Sequence, residues 1–221
     1  TQTIRARSLT YWRERQLVQA RGAVEAADLK HRLTLRADSV DYDRVSQDAS
    51  ATGSPELEAV DDDGRSTFVR ALRMRVNTGT RVALALDSVR IVRDTLEARA
   101  DSALFDDRAD RGWLLGHPSA QDAETRVTGD TLEIWTERRA LRRFVVRGGA
   151  VIDYHGARET TLGEASRLSG DRVDVFFRDE KMDSLIALGA ARNAYTAVAR
   201  EGKTPESTLA SGDPLVVHFR D

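Results

Sequence analysis

The sequence predicts an all-β protein, an antiparallel twisted sheet built from hairpins of roughly 30 residues. Three observations carry that reading. Apolar and polar residues alternate in runs along the whole chain, the period-two mark of half-buried strands. One short pattern returns seven times, and several copies are followed by a second run that ends in glycine. Even YWRERQLVQARGAVEAADLKHRL, which tempts as a helix, fits the strand repeat over Tyr11 to Val24.

The first pattern is plainest in RADS, which occurs at 36–39 and again at 99–102. Aligned on its Asp, the copies are ARSLTY around Arg7, ADSVDY at Asp38, LDSVRI at Asp87, ADSALF at Asp101, GDTLEI at Asp130, GDRVDV at Asp171 and GDPLVV at Asp213. Upstream, Leu33, Leu35 and Ala37, or Leu96, Ala98 and Ala100, alternate with polar residues. Downstream the alternation resumes in the other phase, at Val40 and Tyr42, at Leu132 and Ile134, and at Val173, Val175 and Phe177. The step across the mark is three, from Ala37 to Val40 or from Gly170 to Val173. A step of three in a period-two structure is a bulge or corner that returns the apolar side chains to one interior. Short Asp side chains suit such a corner because they bond nearby amides. Asp38, Asp87, Asp101, Asp130, Asp171 and Asp213 are therefore read as structural corners, with Asp38 and Asp101 facing outward.

The second pattern is a strand closed by glycine, as in LVQARGAV, RGWLLGHP, LRRFVVRGGAV and MDSLIALGAA. Each reads as the partner of the Asp-marked strand before it. STFVRALRMRVNTGTRVALALDSVRIV adds one more hairpin around NTGT. The intervals between the marks, 31, 49, 14, 29, 41 and 42, fit a strict one-rung-per-turn solenoid poorly. VDDDGRST, DYHGARETTLGEAS and REGKTPEST read as surface loops rather than linkers. Residues 1–221 are thus expected to form a single domain, a module within or fragment of a longer chain.

Composition removes several functions. With 34 basic and 36 acidic residues the formal charge is −2, which leaves no cationic surplus for a phosphate backbone, so nucleic acid is not an expected partner. Without cysteine there is no disulfide, thiolate metal site or thiol nucleophile. No apolar run reaches the length of a membrane-spanning helix, and TQTIRARSLTYW lacks the shape of a signal peptide. Each anchor Asp holds the same place in a repeat, which is not how catalytic residues are distributed. Asp61-Asp62-Asp63-Gly64 lacks the spaced oxygen ligands of a calcium loop and reads as a solvated turn. His31, His117, His155 and His218 are scattered. No catalytic residue, metal site or cofactor is expected.

The informative residues are then the plain apolar ones. Tyr42, Met74, Phe105, Ile134, Phe144, Val146, Val173, Val175 and Phe177 share the interior phase, while Leu104, Trp135 and Phe176 are out of it. Such a face is either a dry core or, where the sheet does not close, an apolar groove for acyl chains.

LEARADSALFDDRADRGWLLGHPSA, VTGDTLEIWTERRALRRFVVRGGAVI and LSGDRVDVFFRDEKMDSLIALGAARNA resemble the OstA-like domain of the lipopolysaccharide-transport family. That domain is found in its periplasmic bridge protein, the inner-membrane-anchored partner and the N-terminal part of the outer-membrane translocon. The resemblance covers most of residues 4–220 and rests on the number and order of short motifs. It implies an open-ended, V-shaped β-jellyroll, a periplasmic location in mature or excised form, and a non-catalytic role shielding the acyl chains of lipopolysaccharide (lipid A). It also implies edge-to-edge strand pairing with like domains. The nine interior-phase residues named above would line the groove, and Arg142, Arg143 and Arg147 are candidates to meet phosphate at its rim. The alternatives are a ligand-free structural β-repeat or surface-fibre module, and a carbohydrate-active β-helix, which the uneven intervals disfavour.

Overall fold

The computed structural model describes residues 2–137, 140–155, 165–178, 181–196 and 206–218. The loops expected in DYHGARETTLGEAS and REGKTPEST fall largely outside them. The described residues form β-strands and turns, and no helix among them is long and apolar enough to cross a membrane. Each strand pairing given below is antiparallel. By contact the chain divides into two compact units, Thr1–Leu114 and Leu115–Asp221.

The first unit holds β1 (Gln2–Arg5), β2 (Ser8–Trp12), β3 (Leu17–Asp28), β4 (Leu33–Asp43), β5 (Asp48–Thr52), β6 (Glu56–Val60), β7 (Ser66–Arg70), β8 (Arg73–Asn77), β9 (Val82–Arg93), β10 (Leu96–Asp106) and most of β11 (Arg111–Leu115). Four long strands, β3, β4, β9 and β10, are each divided by a corner into two arms. One set of arms pairs in the order β1–β3–β4–β6–β7–β9–β10. The other set pairs as β2–β3–β4–β5–β8–β9–β10. Two sheets therefore diverge from one line of corners. NTGT joins β8 to β9, as its spacing predicts.

The second unit repeats the plan with β12 (Ser119–Gln121), β13 (Thr125–Thr128), β14 (Thr131–Glu137), β15 (Ala140–His155), β16 (Ala165–Arg178), β17 (Lys181–Leu188), β18 (Ala191–Thr196), β19 (Ser207–Gly212) and β20 (Leu215–His218). Its sheets run β12–β13–β15–β16–β18–β19 and β14–β15–β16–β17–β20.

The two sequence patterns are two halves of one contact. Corners alternate along the chain between a pair of left-handed residues and a marked position. The left-handed pairs are Gly22-Ala23, Gly53-Ser54, Asp87-Ser88, Gly116-His117, Gly148-Gly149 and Gly189-Ala190. The intervening positions donate backbone amides to them, Arg7 to Gly22 at 2.9 Å, Asp130 to Gly148 at 3.0 Å and Asp171 to Gly189 at 3.0 Å. The Asp carboxylate then lies over the glycine. A Cβ on Gly148 would stand 2.2 Å from Asp130 Oδ2, and one on Gly189 would stand 2.3 Å from Asp171 Oδ2. Glycine closes the second pattern because both the left-handed φ and the neighbour's carboxylate exclude a side chain.

Asp87 belongs to the other half of this scheme. The residue in the marked position is Leu72, whose amide donates to the Asp87 carbonyl at 3.1 Å, while Asp87 and Ser88 take φ of 64° and 54°. Asp is among the few residues that visit the left-handed region, so Asp-Ser stands where Gly-Ala or Gly-Ser stands elsewhere. With Leu72 in place of Asp87 the intervals become 31, 34, 29, 29, 41 and 42. The irregular 14 and 49 disappear.

Candidate functional site

Next to the corner line of the first unit, the second sheet carries one row across its hydrogen-bonded strands: Leu9, Ala20, Val40, Ala51, Met74, Ala85 and Ala103. All but the edge residue Leu9 are buried, and Val24 and Val89 close the facing sheet at the same level. Fully burying a Val or Met is worth about 1.5–3 kcal/mol, so this crease is the stable base of the unit.

One step further out the row reads Tyr11, Val18, Tyr42, Ala49, Val76, Ala83 and Phe105. Tyr11 is exposed and the other six are half-buried. The facing row, Ile4, Ala26, Leu35, Leu57, Val69, Ile91 and Ala98, is apolar throughout. Between Tyr42 and Phe105 stand three small side chains, Ala49, Val76 and Ala83, on strands about 4.8 Å apart. The result is a low stretch of apolar floor between two aromatic walls. Tyr42 Oη reaches Thr78 Oγ1 at 3.3 Å, so the phenol has its polar end at the tip and its ring in the trough.

In the second unit, Val146 and Val173 lie in the row beside the corners with Leu132 and Ala187. Ile134, Phe144 and Val175 share the next row with Leu185. Three members of that second row are buried, Phe144 at 8%, Val175 at 0% and Leu185 at 4% exposure, while Ile134 is half-buried like most of the first unit's row. Phe177 stacks on Phe144 with ring centroids 5.4 Å apart. Of the nine residues expected to line a groove, Tyr42, Met74 and Phe105 therefore gather in one unit and the other six in its neighbour. Asp38, Asp87, Asp101, Asp130, Asp171 and Asp213 are all exposed at corners.

The sequence marks Val76 as an apolar strand residue but not as a groove residue, and it does not single out Ala49 and Ala83, because small side chains are a faint hydrophobic signal. Their common distance from a corner is what identifies them. Arg143 and Arg147 are candidates for the rim or for ordinary strand arginines, and strand alternation turns them to the face opposite Phe144 and Val146. There the Arg143 guanidinium lies 5.8 Å from the Trp135 ring and 5.1 Å from the Phe176 ring, and pairs with Asp174 at 3.0 Å. Arg147 is 3.8 Å from Glu133, and Arg142 pairs with Glu137 at 2.9 Å.

The outer face of the first unit's first sheet is a lattice of ion pairs. Arg36 meets Glu25 at 3.4 Å and Glu58 at 3.1 Å, and Glu97 takes Arg90 at 2.9 Å and Arg99 at 2.7 Å. Hydrogen bonds from Arg90 and then Arg99 pull the Glu97 carboxyl down to about 2. In the β6–β7 turn, burial pushes the Asp61 carboxyl up. The amides of Arg65 and Asp63 and the charges of Arg93 and Arg65 outweigh this and hold it below the ordinary carboxylate range. Asp61 thereby ties its own turn to Arg93 at the end of β9, 2.6 Å away.

No family model and no curated protein matches the chain. Among solved structures it is similar to LptH of Pseudomonas aeruginosa, the LptA-homologous periplasmic component of the conserved lipopolysaccharide transport device. The identity is 14% and the TM-score 0.44, over 48% of this chain and 76% of that one.

Proposed function

We propose that the chain is a non-catalytic, periplasmic lipid-transport module of the OstA-like type, shielding the acyl chains of lipopolysaccharide on their way to the outer membrane. The observation that carries this reading is the apolar row of the first unit from Tyr11 to Phe105, left only half-buried above a closed crease. An acyl chain laid on that floor gains about 0.8 kcal/mol for each methylene removed from water, so retention needs no charged site. The alternating corner repeat and its resemblance to OstA-like domains support the same reading. So do the sheet edges. Among the pairings described, β1 and β2 are joined only to β3, β19 only to β18 and β20 only to β17. An edge strand of this kind is a template for strand addition, and we infer edge-to-edge association with like domains.

A photo-crosslinking residue at Phe105 or Tyr42 tests the reading in cells that make lipopolysaccharide. Lipid capture there, with none from outward Arg75, is the expected outcome. Equal capture from Arg75, or none anywhere, refutes it. The closed second row of the other unit favours a purely structural β-repeat for residues 115–221, which crosslinkers at Phe144 and Phe177 would reveal by capturing nothing.

A further inference from the structure

A phenylalanine stands in the row two steps from the corner in each unit, and the two have different neighbours. Phe144 has Ile134 on one adjoining strand and Val175 on the other. With branched side chains on both flanks, its ring lies buried in the interior against Phe177. Phe105 has Ala83 across from it on β9 and meets Gly112 of β11 beyond the 107–110 turn. Both of its flanks are small.

Gly112 is buried and shares the inward phase of its strand with buried Leu114. Arg111 and Trp113 alternate with them, and the Arg111 guanidinium lies 5.5 Å from the Trp113 ring. What lies over Gly112 is the ring of Phe105. A Cβ on Gly112 would stand 3.0 Å from Phe105 Cδ1 and 3.2 Å from Cε1. The next atom, the Leu104 carbonyl oxygen, would be 3.6 Å away, an ordinary contact. The ring alone therefore occupies the space that a side chain would need. An aromatic ring laid on a neighbouring glycine is a known way to cover bare strand backbone. The same seat takes the ring away from Ala83. That alanine, directly across from Phe105, is only half-buried, whereas Ala85 and Ala103, paired one row nearer the corner, are buried.

We propose that Gly112 is a positioning residue for the trough. By lacking a side chain it seats the Phe105 ring on β11 and keeps the floor over Ala83 open to an apolar chain. This rests on the acyl-carrier reading and adds to it a residue that touches no ligand yet decides where one wall of the trough stands. Alanine at 112 would have to push the ring aside by a few tenths of an ångström. Valine, a residue at home in strands, would take the seat outright and turn the ring over Ala83.

The test uses the purified full chain with isotope-labelled alanine methyl groups for NMR, and dodecyl maltoside as the probe for binding. In the wild type the ring should shift the Gly112 α-protons upfield and leave the Ala83 methyl where an open floor puts it. G112V should move the Ala83 methyl upfield and weaken dodecyl maltoside binding about fourfold, the worth of one methylene seat. G112A should do both more weakly. In an F105A background G112V should leave the affinity unchanged, because there is no ring to displace. An Ala83 methyl that stays put, or the same loss of affinity in the F105A background, overturns the role of Gly112 while the acyl-carrier reading stands. A wild-type chain that binds no dodecyl maltoside overturns that reading, and the proposal for Gly112 falls with it.

Discussion

The two units use the same corners and the same sheet plan, but the row two steps from the corner is half-buried in residues 1–114, whereas Phe144, Val175 and Leu185 of its counterpart in 115–221 are buried. In the first it runs Tyr42, Ala49, Val76, Ala83, Phe105, and in the second Ile134, Phe144, Val175, Leu185. Adjacent branched and aromatic side chains bury that row in the second unit, whereas alanines flanking a valine leave it half-buried in the first. Side-chain volume on a common sheet plan, rather than a change of topology, accompanies the difference in burial.

The largest effects should fall on the closed unit. Leu185→Ala removes a buried side chain and should cost about 2–5 kcal/mol in chemical denaturation. Phe105→Ala, in the open row, should cost about 1 kcal/mol or less, since little of its burial is lost. Equal costs would mean the two rows are packed alike. Gly148→Ala should destabilise by about 1–3 kcal/mol, from the left-handed φ and the Asp130 carboxylate together. Pairing it with Asp130→Ala should recover part of that loss. Asp87→Gly, the reverse exchange in the first unit, should be neutral or stabilising by up to about 1 kcal/mol.

Ala83→Leu fills the floor of the trough. It should leave the thermal midpoint within a few degrees and lower dodecyl maltoside affinity several-fold, on the order of one buried side chain's contribution. Unchanged affinity would move the acyl seat elsewhere.

The smallest effect is electrostatic. Glu97 titrates at about 2 in the fold, below its usual 4.5. Its pairing with Arg90 and Arg99 therefore favours the folded state fully above about pH 4.5. The contribution fades as pH falls from there towards 2. NMR titration of the carboxyl carbon should show the low value, and Arg90→Gln should raise it. No change in that variant would refute the pairing as its cause.

The repeat made the corner legible, because a three-residue step in a two-residue rhythm has few physical explanations. It did not make the two kinds of corner legible. Asp87 carries the same letters as Asp38, and only its φ separates a carboxylate that lies over a glycine from one that replaces it. The apolar rows were half legible. Large residues such as Tyr42, Phe105 and Phe144 declare their phase, but Ala49 and Ala83 matter through what they fail to fill. Of the two readings open for Arg143, a phosphate contact at the rim or an ordinary strand arginine, its ion pair with Asp174 fits the second, because adjacent residues of a strand face opposite ways.

The alternation of corners also imposes a rule of parity. Because a marked residue donates its amide to a left-handed pair on the neighbouring strand, inserting or deleting one strand would set mark against mark, or leave two left-handed pairs side by side. Such a chain grows and shrinks by whole hairpins, and a slip of one strand during folding is penalised at every corner at once.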